Sequence, residues 1–94
     1  MAGGRMGSGT PKFKVFDGDG VYQASCKELE ACAALVALYG EGSTIRWGHA
    51  KRDTLFTQGV DGDAGESYDL VVMHCADVLD RRLEATIRAR KRGD

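Results

Sequence analysis

The side chains best suited to chemistry are three cysteines, Cys26, Cys32 and Cys75, and two histidines, His49 and His74. None of the cysteines form a C-x-x-C pair, and zinc sites rely on such close pairs to fix their geometry. His74 and Cys75 are adjacent, so on a helix they point about 100° apart and do not chelate from one face. A Cys–His nucleophile needs a base beside the thiol, and no local spacing supplies one. Asp17-Gly18-Asp19-Gly20 opens like a calcium loop. Such a loop needs an oxygen ligand at its fifth position and Gly at its sixth; here those are Val21 and Tyr22, although Glu28 falls at the twelfth. Asp61-Gly62-Asp63 fails in the same way, with Glu66 at its sixth position. Both read as turns. Gly40-Glu41-Gly42 follows a helical pattern instead of preceding one, so it offers no N-terminal amides to a phosphate. The expectation is a non-enzymatic protein with no catalytic residues, no metal and no cofactor.

Two clusters suggest contact instead of catalysis. Arg46, Trp47, His49, Lys51 and Arg52 fall within seven residues. Basic side chains interleaved with aromatic rings are the composition of a nucleic-acid or nucleotide-binding ridge. The competing reading places Trp47 in the core beside Ile45 and leaves the charges to keep a hairpin soluble. The second cluster is the chain end, with Arg81, Arg82, Arg88, Arg90, Lys91 and Arg92. It suits phosphates or merely complements a helix dipole. Residues 1–80 carry net charge −5 and residues 81–94 carry +4. A nucleic-acid contact would therefore join Arg46, Trp47, His49, Lys51 and Arg52 to Arg88, Arg90 and Arg92.

The elements that must position these groups follow from local pattern. Met1–Thr10 is Gly-rich with nothing to pack and has no apolar signal-peptide segment, so residues 1–11 read as a flexible leader. Residues 12–94 read as one domain. Phe13–Phe16 and Val21–Ala24 flank the D-G turn as a hairpin, with Phe13 and Val15 on one face and Lys14 and Phe16 on the other. Ser25–Tyr39 reads as a helix: Ser25 and Glu28 have capping-box spacing, and Gly40 and Gly42 end it. Leu29, Cys32, Ala33 and Val36 form one apolar face, while Ala31, Leu35 and Leu38 make the other side apolar too. Such a helix should be buried against more than one surface. Ser43–His49 and Thr54–Gln58 form a second hairpin around the polar turn Ala50–Asp53. From about 66 to 92 no Pro or Gly interrupts a helical pattern. Leu29, Val36, Ile45, Val72 and Leu79 are the expected core.

The expected fold is therefore α+β, ordered ββαββα. A four-stranded antiparallel sheet carries one packed helix and a long C-terminal helix. That helix is about 40 Å long at about 1.5 Å per residue, more than so small a domain spans. Its stripe Val72, Cys75, Leu79, Leu83 and Ile87 motivates a homodimer. No apolar run reaches the roughly 20 residues of a membrane helix, and an odd set of unpaired cysteines suits the cytoplasm. The opening KVFDGDGVYQAS followed by an Ala-rich helix resembles the small proteins of unknown function encoded by bacteriophages and mobile elements, over residues 12–80. That resemblance implies a context and assigns no residue a role. The leading expectation is a homodimeric binding module acting on nucleic acid or a nucleic-acid machine. The alternatives are a protein-binding inhibitor or assembly factor using the acidic body, and a protein sequestering a small anionic ligand such as a nucleotide through Arg46, His49 and Arg52.

Overall fold

The computed structural model describes residues 12–93, with side-chain surroundings to residue 90. The leader expected over residues 1–11 and the side chain of Arg92 lie outside the described residues. The element order is β1 (Phe13–Phe16), β2 (Tyr22–Cys26), α1 (Leu29–Tyr39), β3 (Thr44–Arg46), a 3-10 turn (Lys51–Asp53), β4 (Thr54–Thr57) and α2 (Tyr68–Gly93). The strands form one antiparallel sheet in the order β2-β1-β3-β4. The ββαββα α+β fold read from the sequence is the fold found. The two hairpins meet through β1 and β3, which places the first strand of each hairpin at the centre.

Alternation decides which side of the sheet is covered. Val15 pairs with Ile45, and Ile45 with Phe56. This row, together with Phe13, faces α1 and α2 and is buried with Cys32, Ala33, Val36, Val71 and Cys75. Both helices lie on this one face, since α1 contacts β1, β2 and β3 while α2 contacts β4 and α1. A bulge in the β3–β4 ladder lets Leu55 join Phe56 in the core, because the extra residue of a bulge breaks the strict alternation.

Several local expectations yield to tertiary pairing. Ser25 does not cap a helix: it pairs with Lys14 at the end of β2, and Cys26 pairs with Phe13. The helix starts later, at Leu29, and its N-cap Glu28 makes no side-chain capping bond. Ladder hydrogen bonds to β1 outweigh a cap worth about 1 kcal/mol. Val36 and Ile45 are buried as expected, whereas Leu29, Val72 and Leu79 are half-buried at the rim and Val71 takes the interior place on α2. Helix α1 is buried against two surfaces, the sheet and α2, as its apolar pattern implied. Of its second apolar side Leu35 is half-buried against the core, whereas Ala31 and Leu38 are exposed.

The C-terminus of α1 is closed by local polar groups. Gly40 has φ 90°, and its N–H donates to the Val36 carbonyl at 2.9 Å. The Ser43 hydroxyl donates to the carbonyls of Gly40 at 2.6 Å and Val36 at 3.2 Å. Buried Gln58 donates to Asp63 at 2.7 Å and accepts from the Ala64 N–H at 2.8 Å, tying down the loop before α2. Helix α2 has 26 residues, about 39 Å at the usual rise. Its packing against the domain ends near Arg82, which donates to the Thr54 carbonyl at 3.3 Å. From Leu83 to Arg90 every residue is exposed.

Candidate nucleic-acid interface

Among the described residues, no element covers the sheet face opposite the helices. Antiparallel pairing in register puts Lys14, Phe16, Thr44 and Arg46 on it, because Lys14 pairs with Arg46 and Phe16 with Thr44. An uncovered face normally carries polar residues; here an aromatic sits at its centre. Phe16 is buried although it points away from the core, and the side chains around it explain why. The guanidinium carbon of Arg46 lies 3.9 Å from the Phe16 ring centroid. The rings of Tyr22 and His49 meet Phe16 edge-on, with centroids at 5.7 and 6.0 Å. Tyr22 and His49 are themselves 5.6 Å apart, and both are exposed to solvent.

Arg46 is only 7 % exposed. Its Nε donates to the Thr44 hydroxyl at 3.1 Å, and its Nη1 donates to the His49 carbonyl at 2.9 Å. The ion pairs found among the described residues, His74–Asp61 and Arg81–Asp77, do not include it. A buried charge is ordinarily paired. Arg46 instead has two neutral acceptors and one ring face, and a guanidinium has five N–H donors. Arg46 also lines a pocket of about 300 Å³ with Lys51, Thr44, Thr54 and the β1–β2 turn.

That turn is held rigid. The Asp17 carboxylate accepts from the N–H groups of Asp19 (2.9 Å) and Val21 (3.0 Å) and from Gln23 Nε2 (2.8 Å). These bonds, that of Val21 foremost, hold its pKa below the ordinary value of 3.8. The D-G sequence is thus a turn, as expected. Gly18 presses on the loop after α1: a Cβ there would lie 2.9 Å from the Glu41 carbonyl oxygen. Asp17 and Asp19 line the same pocket as Arg46 and Lys51, so its formal charge is balanced.

The residues singled out in the sequence divide between two surfaces. Arg46 and His49 come together around Phe16, with Lys51 at the pocket beside them and Arg52 exposed on the same 3-10 turn. Trp47 leaves this group. It stands 48 % exposed on the helix side of the sheet and borders a groove with Leu79 and Leu83. Ile45 and Trp47 thus face the helix side as alternation requires, but the chain reverses past Gly48 and takes His49 to the other side. A Cβ at Gly48 would meet the Asp53 carboxylate, which would have to turn aside. Arg88 and Arg90 are exposed on the overhang of α2. This overhang leaves the domain at the β3–β4 loop end, where Arg82 reaches Thr54 and Thr86 borders the Trp47 groove. Phe16, Tyr22 and Lys14 escaped the sequence reading. The one available signal was an aromatic at position 16 on the polar side of the β1 alternation.

The thiols lie elsewhere. Cys32 and Cys75 are fully buried in the core, Cys26 is half-buried, and all three are free. Burial pushes the Cys75 thiol up to about 12, with the Asp61 charge adding to it, and burial likewise raises Cys32. Neither is an activated nucleophile. Among the described residues no three His, Cys, Asp or Glu side chains gather closely enough to hold a metal, and no helix is long and apolar enough to cross a membrane. Comparison with protein-family models, curated proteins and solved structures gives no match to this chain.

Proposed function

We propose that this protein is a non-enzymatic binding module that holds single-stranded nucleic acid on the uncovered face of its sheet. The observation that carries the reading is the Arg46 guanidinium, laid on Phe16 without a carboxylate partner and flanked by the exposed rings of Tyr22 and His49. Arg46 and Lys51 would take a phosphate, and Tyr22 and His49 would offer ring faces to bases. Base–aromatic stacking contributes about 1–3 kcal/mol per base and tolerates any sequence. The net −5 of residues 1–80 confines phosphate contact to this face and to the basic overhang with Arg88 and Arg90. Unpaired thiols fit a reducing compartment such as the cytoplasm.

The test is fluorescence anisotropy with mixed-sequence single-stranded DNA and RNA oligonucleotides at low salt. Micromolar binding that weakens steeply with salt is expected. Tyr22→Ala, an exposed change, should weaken it about fivefold or more. No binding at tens of micromolar protein would overturn the proposal.

A second reading, a protein-directed inhibitor or assembly factor, is favoured by the exposed apolar residues Val60, Leu70 and Met73 beside the acidic loop Asp61, Asp63 and Glu66. It predicts no retention of oligonucleotides and sensitivity to changes in that loop.

A further inference from the structure

We infer that the overhang of α2 is an antiparallel dimerisation arm, and that the groove between Trp47 and α2 is the seat for the same helix of a second copy. The groove is about 230 Å³ and is lined by Trp47, Leu79, Arg82, Leu83 and Thr86. Its apolar floor continues along the overhang as Leu83 (59 % exposed) and Ile87 (46 % exposed). Cys75 is enclosed within its own chain and Val72 is half-buried, so of the stripe expected to pair, the part open to a partner begins at Leu79. A helix with an apolar stripe beyond its own domain needs something to cover it.

Charge identifies the cover. From Tyr68 to Asp80 the helix has three carboxylates, Asp69, Asp77 and Asp80, and no Lys or Arg. Beyond that it has Arg81, Arg82, Arg88 and Arg90 against Glu84 as far as residue 90. Such a helix complements a copy of itself running the opposite way. A two-fold axis at Leu83 sets Leu83 beside Leu83 and Ile87 level with Leu79 and close to Trp47. Residues three and four apart share a helix flank, so Asp77, Asp80, Glu84 and Arg88 run down one side of the stripe. The same axis brings Arg88 of one copy level with Val78 of the other, between Asp77 and Asp80. Parallel pairing would set Arg88 beside Arg88 and carboxylate beside carboxylate. The contact is isologous, as two-fold symmetry requires, and each copy supplies the Trp47 that closes the far end of the other's stripe. The inference does not depend on what the uncovered sheet face binds.

Analytical ultracentrifugation of the full chain, from micromolar to submillimolar concentration, tests it. A concentration-dependent dimer is expected. Leu83→Lys, which alters a solvent-exposed position, should leave helical circular dichroism intact and abolish the dimer. Arg88→Glu should weaken the dimer about tenfold, since two symmetric ion pairs become repulsions, and adding Asp80→Lys to it should restore most of the loss. A monomer throughout the range overturns the inference, as does a dimer that survives Leu83→Lys. A charge swap that fails to recover affinity overturns the antiparallel arrangement.

Discussion

The guanidinium of Arg46 rests on the ring of Phe16, 3.9 Å from its centroid, on the side of the sheet that no helix covers. Each group thereby shields the other from water, and the two roles separate experimentally. Phe16→Ala should cost about 3 kcal/mol by lost transfer energy and a cavity. Arg46→Met keeps most of the stacked volume and removes the charge, so it should change stability by less than about 1 kcal/mol. The same change should sharply weaken oligonucleotide binding. Urea denaturation of both variants checks this; a loss from Arg46→Met as large as that from Phe16→Ala would make Arg46 purely structural.

The row Val15, Ile45 and Phe56 crosses three strands beneath the helices, and Ile45 and Val36 are both wholly enclosed. Ile45→Ala should destabilise by about 2–5 kcal/mol. Leu38→Ala, on the exposed side of α1, should lie within about 0.5 kcal/mol of the parent. Thermal melts of the two variants measure the contrast.

Gly18 has backbone, not a flexible side chain, where a Cβ would go. Gly18→Ala should therefore cost about 1–3 kcal/mol through displacement of the β1–β2 turn from the Glu41 loop. Amide exchange should show the first hairpin opening before the second.

Asp17 titrates below its ordinary 3.8 because Val21, Gln23 and Asp19 donate to its ionised form. A depressed folded value means stabilisation that is present above about pH 4 and lost as pH falls through the folded value. Asp17→Asn should therefore flatten the acid limb of the stability profile below pH 4. An unchanged acid limb would show that these bonds do not favour the folded state.

The buried thiols give the opposite sign. Cys75 is raised to about 12 and Cys32 is raised as well, both chiefly by burial. A raised folded value means stability that is complete below the unfolded thiol value, near 8.5, and that declines as pH rises above it. Alkaline unfolding should begin near pH 9 and be delayed in Cys75→Ala if that variant is otherwise stable. Thiol titration of native protein at pH 7.5 should label Cys26 first, and unfolded protein should give all three thiols.

The sequence by itself determined whatever depends on neighbours along the chain. Alternation at Phe13–Phe16, the D-G turn, the steps of three and four through Cys32–Val36 and Val72–Leu79, and glycines at the end of α1 are local, and an element of the expected type lies over each of those patterns. The sequence also determined the charge polarity of α2. Tertiary structure decided everything that rests on which strands meet. Ser25 had a helix cap and a strand ladder open to it, and pairing with Lys14 chose the ladder. Arg46, Trp47 and His49 look like one ridge in the chain, yet the pleat and the reversal at Gly48 send Trp47 to the helices and the other two to the uncovered face. The meeting of Phe16 with Arg46, thirty positions apart, follows from β1 lying beside β3, a long-range pairing that no local period encodes.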